Sequence, residues 1–177
     1  MIIQRDFYLK NPMRVARSLL GAYLCVEKEG QIIRGRICEL ELYLESERAC
    51  HAFGGKCTPR NCALFSGGGH AYIYLCYGLH SLFNIVLGPA GTAAAVLIRA
   101  VELQGCDGPG KLTKTLGIKL SDNTIDLTTG HKIWVEPRKK VPRILAAKRI
   151  GIDYAGSDAD LPWRLGIADS KYLSRPF

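Results

Sequence analysis

Residues 37–44 read ICELELYL, and the alternation of polar and apolar side chains in this stretch is typical of a β-strand. Successive side chains of a strand point to opposite faces, so Glu39, Glu41 and Tyr43 are expected to share one face. The other face carries only Cys and Leu side chains, which can pack into a core. The stretch therefore predicts a long strand with one buried apolar face and one acidic face. The acidic face is unexpected because the chain as a whole is strongly basic.

The segments on either side of this strand predict further strands that pair with their neighbours along the chain to form a sheet. Strands are predicted at residues 22–28, 31–44, 71–77, 82–87, 93–103, 133–135 and 163–167. Helices are predicted at 12–20, where Asn11 caps the start, and at 111–116 after a Gly-Pro-Gly turn. Residues 45–69 are glycine-rich and predict a long loop, whereas 143–150 fits a strand or a helix equally well. With no linker or repeat, the pattern predicts one α+β domain over residues 1–177, with a mainly antiparallel sheet and flanking helices.

The composition restricts the class of protein. A chain of 177 residues with 47% hydrophobic and 23% charged residues is typical of a soluble globular domain. No apolar run approaches the roughly 20 residues of a transmembrane helix, and residues 1–6 lack the apolar stretch of a signal peptide. We therefore expect a cytoplasmic protein without a membrane partner.

The seven cysteines are odd in number and scattered, unlike the framework of a disulfide-rich secreted protein. Cys50, His51, Cys57 and Cys62 offer an alternative, a zinc site. Their spacing lacks the paired C-x-x-C of structural zinc sites. Reduced thiols and no bound metal are therefore the expectation.

The positive charge of the chain is segregated. The net charge is +8, yet no Asp or Glu occurs from Arg48 to Val101, a stretch that contains Arg48, Lys56, Arg60 and Arg99. Residues 137–152 also lack an acid and hold Arg138, Lys139, Lys140, Arg143, Lys148 and Arg149. Such a distribution favours a nucleic-acid partner over a merely solvated surface.

The paired glutamates allow two interpretations. They could neutralise Arg34 or Arg36. Alternatively, one carboxylate could activate a water molecule and stabilise the oxocarbenium-like state through which an N-glycosidic bond is cleaved. Strand alternation does not choose between Glu39 and Glu41.

Two aromatic features fit recognition of an extruded base. Tyr43 and His51 could form the walls on which a planar base stacks. Residues 71–78, AYIYLCYG, place Tyr77 beside a glycine at a strand end, where it could project as a wedge between base pairs, while Tyr72 fits a core position.

Ten short motifs together resemble the alkyladenine (3-methyladenine) DNA glycosylase family, in its order and approximate spacing, across nearly the whole chain. They are ELELY (39–43), CH (50–51), GG (54–55), TPRN (58–61), YIY (72–74), YG (77–78), NI (84–85), VLIRA (96–100), GPGKL (108–112) and RIGIDYAG (149–156). Each motif is weak alone, and the ordered set is specific.

The resemblance implies a curved antiparallel sheet and a monomer that acts on double-stranded DNA containing damaged purines. It implies that 3-methyladenine-type bases, hypoxanthine or ethenoadenine are flipped out and hydrolysed from the sugar, without a cofactor and without strand cleavage. The roles it implies are water activation by Glu41, positioning of the water and phosphate by Arg99, enclosure of the base by Tyr43, His51 and Tyr74, exclusion of guanine by Asn84, and intercalation by Tyr77.

The sequence departs from the family at one place. The family usually has Glu-Thr-Glu-Ala-Tyr where this chain has Leu40 and Leu42, which are predicted to face the core. The long N-terminal extension of animal relatives is missing, which favours a bacterial-type short form. A non-catalytic nucleic-acid-binding module is the main alternative, and a tRNA-modifying enzyme is a weaker one.

Overall fold

A computed structural model describes residues 1–177, and its eight strands form one sheet with antiparallel pairing throughout. The strands are β1 (Tyr23–Lys28), β2 (Gln31–Leu44), β3 (Ala71–Cys76), β4 (His80–Val86), β5 (Ala94–Glu102), β6 (Ile133–Glu136), β7 (Ile144–Ala147) and β8 (Arg164–Ile167). The helices are α1 (Arg5–Tyr8), α2 (Pro12–Leu19) and α3 (Pro109–Leu116), with 3₁₀ turns at Phe53–Gly55, Cys62–Phe65, Leu120–Asp122 and Asp153–Asp160.

The long strand β2 organises the sheet. One of its edges pairs with β5, while the other pairs first with β1 and then with β8, at Glu39–Gly166, Leu40–Leu165 and Glu41–Arg164. The main path runs β3-β4-β5-β2-β1-β6, and β7 pairs with β8. The register of the β2–β5 pairing shifts on both sides of Glu39, which marks a bulge in the ladder. The expected single α+β domain with a curved antiparallel sheet is confirmed.

The apolar face of β2 lies in the main core. Leu40 and Leu42 are fully buried there, together with Val15 and Leu19 of α2. The helix begins as predicted, because Oδ1 of Asn11 accepts a 3.2 Å hydrogen bond from the Arg14 N–H group. The two leucines therefore pack on the side of β2 opposite to its acidic face.

Two elements go beyond the sequence prediction. Residues 144–147 are a strand rather than a helix, since they pair with β8 from Ile144–Ile167 to Ala147–Arg164. The four-residue helix α1 was not predicted, and its Tyr8 is fully buried. No helix in the chain combines the length and the hydropathy needed to cross a membrane.

Candidate active site

A cavity of about 460 Å³ opens on the acidic face of β2. It lies within the usual size range of small-molecule sites. Every residue to which the family resemblance assigned a role contributes to its lining: Glu41, Tyr43, His51, Tyr74, Tyr77, Asn84 and Arg99. The fold thus brings four strands, the 45–69 loop and the β3–β4 hairpin together at one place.

Glu41 is a buried carboxylate held by two hydrogen-bond donors and one ion pair. Its Oε2 accepts a 2.8 Å hydrogen bond from the Tyr43 hydroxyl, and its Oε1 accepts a 2.8 Å hydrogen bond from the Ile150 N–H group. Nη1 of Arg99 lies 3.4 Å from the same Oε1. An ionised carboxylate has about four acceptor positions, so Glu41 can still accept a hydrogen bond from the cavity.

Glu39 is equally buried but is not part of the cavity lining. Oε1 accepts from Arg99 Nε at 3.0 Å, from Arg164 Nη1 at 3.1 Å and from the Ser174 hydroxyl at 2.9 Å. Oε2 accepts from the Ser174 N–H group at 2.5 Å. Of the two glutamates, only Glu41 can reach a molecule in the cavity.

The proposed neutralisation of the glutamates by Arg34 or Arg36 is wrong. Arg34 instead pairs with Glu136 at 3.3 Å, and Arg36 with Glu102 at 3.2 Å. Both arginines lie on β2 before the bulge, where their neighbours are β1 and the far end of β5. The register of the sheet therefore decides these pairs.

The ring of Tyr43 packs against a buried arginine that is not part of the cavity lining. The Arg149 guanidinium lies 4.7 Å from the Tyr43 ring centroid, and it makes a two-pronged ion pair with Glu47 at 2.6 and 2.9 Å. Arg149 does not line the cavity, whereas Tyr43 does. Burial, and then the nearby charge of Glu41, raise the pKa of the Tyr43 hydroxyl well above its ordinary value, so this group is a hydrogen-bond donor to Glu41.

His51 packs against two tyrosines in the lining of the cavity. Nδ1 of His51 lies 2.9 Å from the hydroxyl of Tyr72, and the His51 ring meets that of Tyr74 edge-on with centroids 4.5 Å apart. Burial, and then the positive charge of Arg60, lower the pKa of His51. The imidazole is therefore neutral near pH 7.

Asn84 presents a fixed amide. Its nitrogen donates to the backbone carbonyl oxygens of Tyr72 and Leu82, at 3.0 and 3.4 Å. Asn84 is buried, yet it lines the cavity. Because both hydrogen bonds come from the amide nitrogen, the side chain cannot rotate away from the cavity without losing them.

Tyr77 stands out from the surface. Its side chain is 93% exposed, and its backbone has a φ of +51°, followed by Gly78 at +68°. A left-handed conformation is unfavourable for a bulky residue and indicates a local constraint. The turn that holds it is closed by a 3.1 Å hydrogen bond from the Leu79 N–H group to the Cys76 carbonyl oxygen. The turn therefore fixes the backbone from which an exposed aromatic side chain projects at the rim of the cavity.

The basic residues do not form one uniform surface. Arg99 and Arg149 are buried in ion pairs, while Arg143 and Lys148 pair with Asp169 and Asp160 at the surface. Arg99 and Arg149 therefore add to the net charge of the chain but are not available at the surface to bind a phosphate. Arg60, by contrast, is exposed and lines the cavity.

Sequence reasoning missed several groups that complete the site. These are the Ile150 N–H group, the Tyr154 side chain at the cavity wall, and the Arg164 and Ser174 side chains behind Glu39. The motif at 149–156 was the only signal for the first two, and no local pattern marks the others.

The cysteines and the histidine of the alternative zinc site differ in their surroundings and do not form a metal site. Cys50 is buried, whereas Cys57 and Cys62 are exposed. No group of three or more His, Cys, Asp or Glu side chains is arranged to hold a metal ion.

Comparison with known proteins shows the family to which the chain belongs. The sequence profile described as methylpurine-DNA glycosylase matches residues 6–106 and 103–171. The chain is 40% identical to a protein of Carboxydothermus hydrogenoformans, over 99% of this chain and 100% of that protein. It is 43% identical to one of Myxococcus xanthus, over 98% and 93%, and 38% identical to one of Clostridium tetani, over 99% and 100%. All three relatives are named as candidate 3-methyladenine DNA glycosylases.

The chain therefore belongs to the methylpurine-DNA glycosylase family. The family resemblance predicted from the sequence is confirmed, and with it the enzyme class: a DNA glycosylase, which is a hydrolase of N-glycosyl bonds.

Proposed function

We propose that residues 1–177 act as one DNA glycosylase domain that extrudes a damaged purine from duplex DNA and hydrolyses its bond to the sugar. The observation that carries the proposal is the position of Glu41. It is a fully buried carboxylate with spare acceptor capacity, at the wall of a cavity lined by aromatic rings and flanked by the protruding Tyr77.

Extrusion of the base would use the β3–β4 hairpin. Tyr77 is almost wholly exposed and is held by its turn, so it can enter the stack and fill the gap that a flipped nucleotide leaves. The extruded base would enter the cavity between Tyr43 on one side and His51 with Tyr74 on the other. Stacking of this kind contributes roughly 1–3 kcal/mol per base.

The hydrolysis would be carried out by one carboxylate and one water molecule. As the bond between C1′ and the base breaks, its electron pair leaves with the base. A cationic alkylated purine then departs as a neutral molecule, whereas an uncharged lesion such as hypoxanthine departs as an anion that takes up one proton from the solvent. Glu41 stabilises the oxocarbenium-like sugar and accepts a proton from the water whose oxygen bonds to C1′. Arg99, with Nη1 3.4 Å from Glu41, would help to hold that water and the adjacent phosphate. Only water is consumed, so the reaction requires no cofactor.

Selection against normal guanine would depend on Asn84. Its amide nitrogen is engaged by two backbone carbonyl groups, so the amide edge at the cavity has a fixed position. We assign the exclusion to the bulk of this immobile side chain against the exocyclic amine of guanine. Hypoxanthine, ethenoadenine and 3-methyladenine lack that amine.

Contact with the duplex would be electrostatic around the cavity mouth. Arg60 is exposed beside the cavity, and residues 49–101 contain no acidic residue to repel phosphates. Binding of this kind releases counterions from the DNA, so it weakens as the salt concentration rises. One chain contains the whole cavity, which supports a monomer as the active unit.

The test is an assay of base release. Four duplex oligonucleotides, carrying 3-methyladenine, 7-methylguanine, hypoxanthine or ethenoadenine, are incubated with excess protein, with Glu41→Gln in parallel. We expect release of free base from at least one duplex, an abasic site in an uncut strand, and no release by the variant. Folded wild-type protein that binds these duplexes but releases no base would support the non-catalytic binding module instead.

A further inference from the structure

The segment Ser174–Phe177 follows β8 and lies against the buried side of Glu39. Ser174 donates twice to this carboxylate, from its N–H group to Oε2 at 2.5 Å and from its hydroxyl to Oε1 at 2.9 Å. Arg164 donates to the carbonyl oxygens of the next two residues of the segment, at 3.3 and 2.9 Å. The segment thus closes a buried cluster of charges rather than a simple apolar surface.

A second contact fixes the end of the same segment. The ring centroid of Phe177 lies 3.9 Å from the guanidinium carbon of Arg164. The ring also occupies space that only a glycine leaves open, since a Cβ atom at Gly166 would lie 2.5 Å from two of its carbons. Gly166 pairs with Glu39 in the sheet. The segment is therefore held at both of its ends, and both contacts lie beside the same glutamate.

The cluster reaches the cavity through Arg99. Its Nε donates to Glu39 at 3.0 Å and to the Ser174 hydroxyl at 3.3 Å, and its Nη2 donates to the same hydroxyl at 3.2 Å. The remaining nitrogen, Nη1, is the one that faces Glu41. Because a guanidinium group is planar and rigid, holding two of its nitrogens fixes the direction of the third.

We propose that Ser174–Phe177 is a positioning element of the active site, in which Ser174 and Glu39 together set the orientation of Arg99 relative to Glu41. This inference rests on the proposed hydrolysis by Glu41. Neither Ser174 nor Glu39 lines the cavity, so both act through Arg99 rather than on the substrate. Without the Ser174 hydroxyl, Arg99 loses two acceptor contacts and is free to turn toward Glu41 and occupy the carboxylate positions that the attacking water requires.

The test compares four single variants of the full chain. Ser174→Ala removes the hydroxyl, Ser174→Thr retains it, and Gly166→Ala displaces the Phe177 ring. Ser170→Ala deletes a hydroxyl of the same region that contacts neither glutamate and is the matched control. Each variant is measured for the single-turnover rate of base release, the affinity for lesion-containing duplex and the melting temperature. The substrate is the duplex, among the four above, from which the wild type releases base fastest.

A positioning role predicts a split between rate and binding. Ser174→Ala should release base about tenfold more slowly, which is the scale of one lost hydrogen bond to a charged group. Its lesion affinity should remain at the wild-type level, its melting temperature should fall by no more than a few degrees because buried hydrogen bonds are lost, and Ser174→Thr should restore the rate. Gly166→Ala should be slow in the same way, and Ser170→Ala should match the wild type.

Two results would overturn the inference. One is a wild-type rate in Ser174→Ala and Gly166→Ala. The other is a rate that falls only in proportion to a lower affinity or melting temperature, or that Ser174→Thr does not restore. A wild-type chain that releases no base from any duplex would instead overturn the proposed function itself, so the two failures are distinguishable.

Discussion

The hydroxyl of Tyr43 donates a 2.8 Å hydrogen bond to Oε2 of Glu41, two residues earlier on the same strand. The two side chains lie on one face of β2 because strand residues separated by two positions point the same way. One residue of this pair supplies a flat wall of the cavity, and the other supplies its buried carboxylate. The pair therefore joins the binding surface directly to the chemical group that we propose acts on the substrate.

Replacing Tyr43 with Phe separates these two contributions. The ring that contacts the base remains, so we expect unchanged affinity for lesion-containing duplex. The donor to Glu41 is lost, so the single-turnover rate of base release should fall about tenfold, as for one hydrogen bond to a charged group. Tyr23→Phe, a change on β1 outside the cavity, is the control. A loss of affinity without a loss of rate would contradict this assignment.

Tyr77→Asn is expected to stabilise the folded protein while slowing its release of base from duplex DNA. Asn tolerates the left-handed conformation that Tyr77 adopts with a φ of +51°. We expect the free energy of unfolding to rise by about 1 kcal/mol. Base release from duplex DNA should fall more than release from the same lesion in a single strand, where no base pair must be opened. The measurements are denaturant unfolding and release from both substrates.

Leu120→Asn, at another exposed apolar position, is the control for Tyr77→Asn. It should change neither the release of base from duplex DNA nor the release from the single strand. Equal losses of release from duplex and single strand in Tyr77→Asn would remove the wedge role.

The lowered pKa of His51 predicts a specific pH dependence. Burial, and then the positive charge of Arg60, lower the pKa of His51 in the folded protein below its ordinary value of 6.5. The imidazole therefore stays neutral at a lower pH in the folded chain than in the unfolded chain. Below pH 6.5 the unfolded chain binds this proton before the folded chain does. The His51 contribution to stability is therefore intact above pH 6.5 and decreases as the pH falls toward the folded-state pKa.

Two variants check the sign. The free energy of unfolding, measured against pH, should no longer contain the His51 contribution in His51→Gln. In Arg60→Ala, the pKa of His51, followed by NMR, should rise toward its ordinary range. A His51 that titrates above 6.5 in the folded wild type would contradict the prediction.

Leu42→Ala tests the separation of core and cavity. Leu42 is fully buried in the main core and is not part of the cavity lining. Removing its side chain should lower the free energy of unfolding by about 2–5 kcal/mol. The relative rates of release from the four lesion duplexes should not change. A changed lesion preference would show that the departure from the family pattern at this position reaches the cavity after all.

The sequence predicted the elements of the fold well where its patterns are local. Alternation over 37–44 identified β2 and the shared face of Glu41 and Tyr43, and the Tyr77-Gly78 pair identified the hairpin turn. Residues 144–147 are short and half-exposed, so periodicity could not distinguish a strand from a helix. Only pairing with β8 decides it.

The candidate site was predictable as a set of residues but not as a network. The donor that the Ile150 N–H group supplies to Glu41 comes from 109 positions along the chain, and Ser174 reaches Glu39 across 135. Arg149 belongs to a basic run in the sequence, yet it is buried against Glu47. Such partners depend on sheet register and loop closure, which no local pattern encodes.

The most direct test of the account is the single-turnover rate of base release by Glu41→Gln. Glutamine keeps the size of the side chain and an oxygen acceptor, but it cannot take a proton from water. We predict a rate at least about 100-fold below the wild type, the lower end of what a general base contributes, with lesion affinity retained. Glu136→Gln, on β6 outside the cavity, should release base at the wild-type rate. A Glu41→Gln protein that binds lesion DNA and releases base within a few-fold of the wild-type rate would contradict the account.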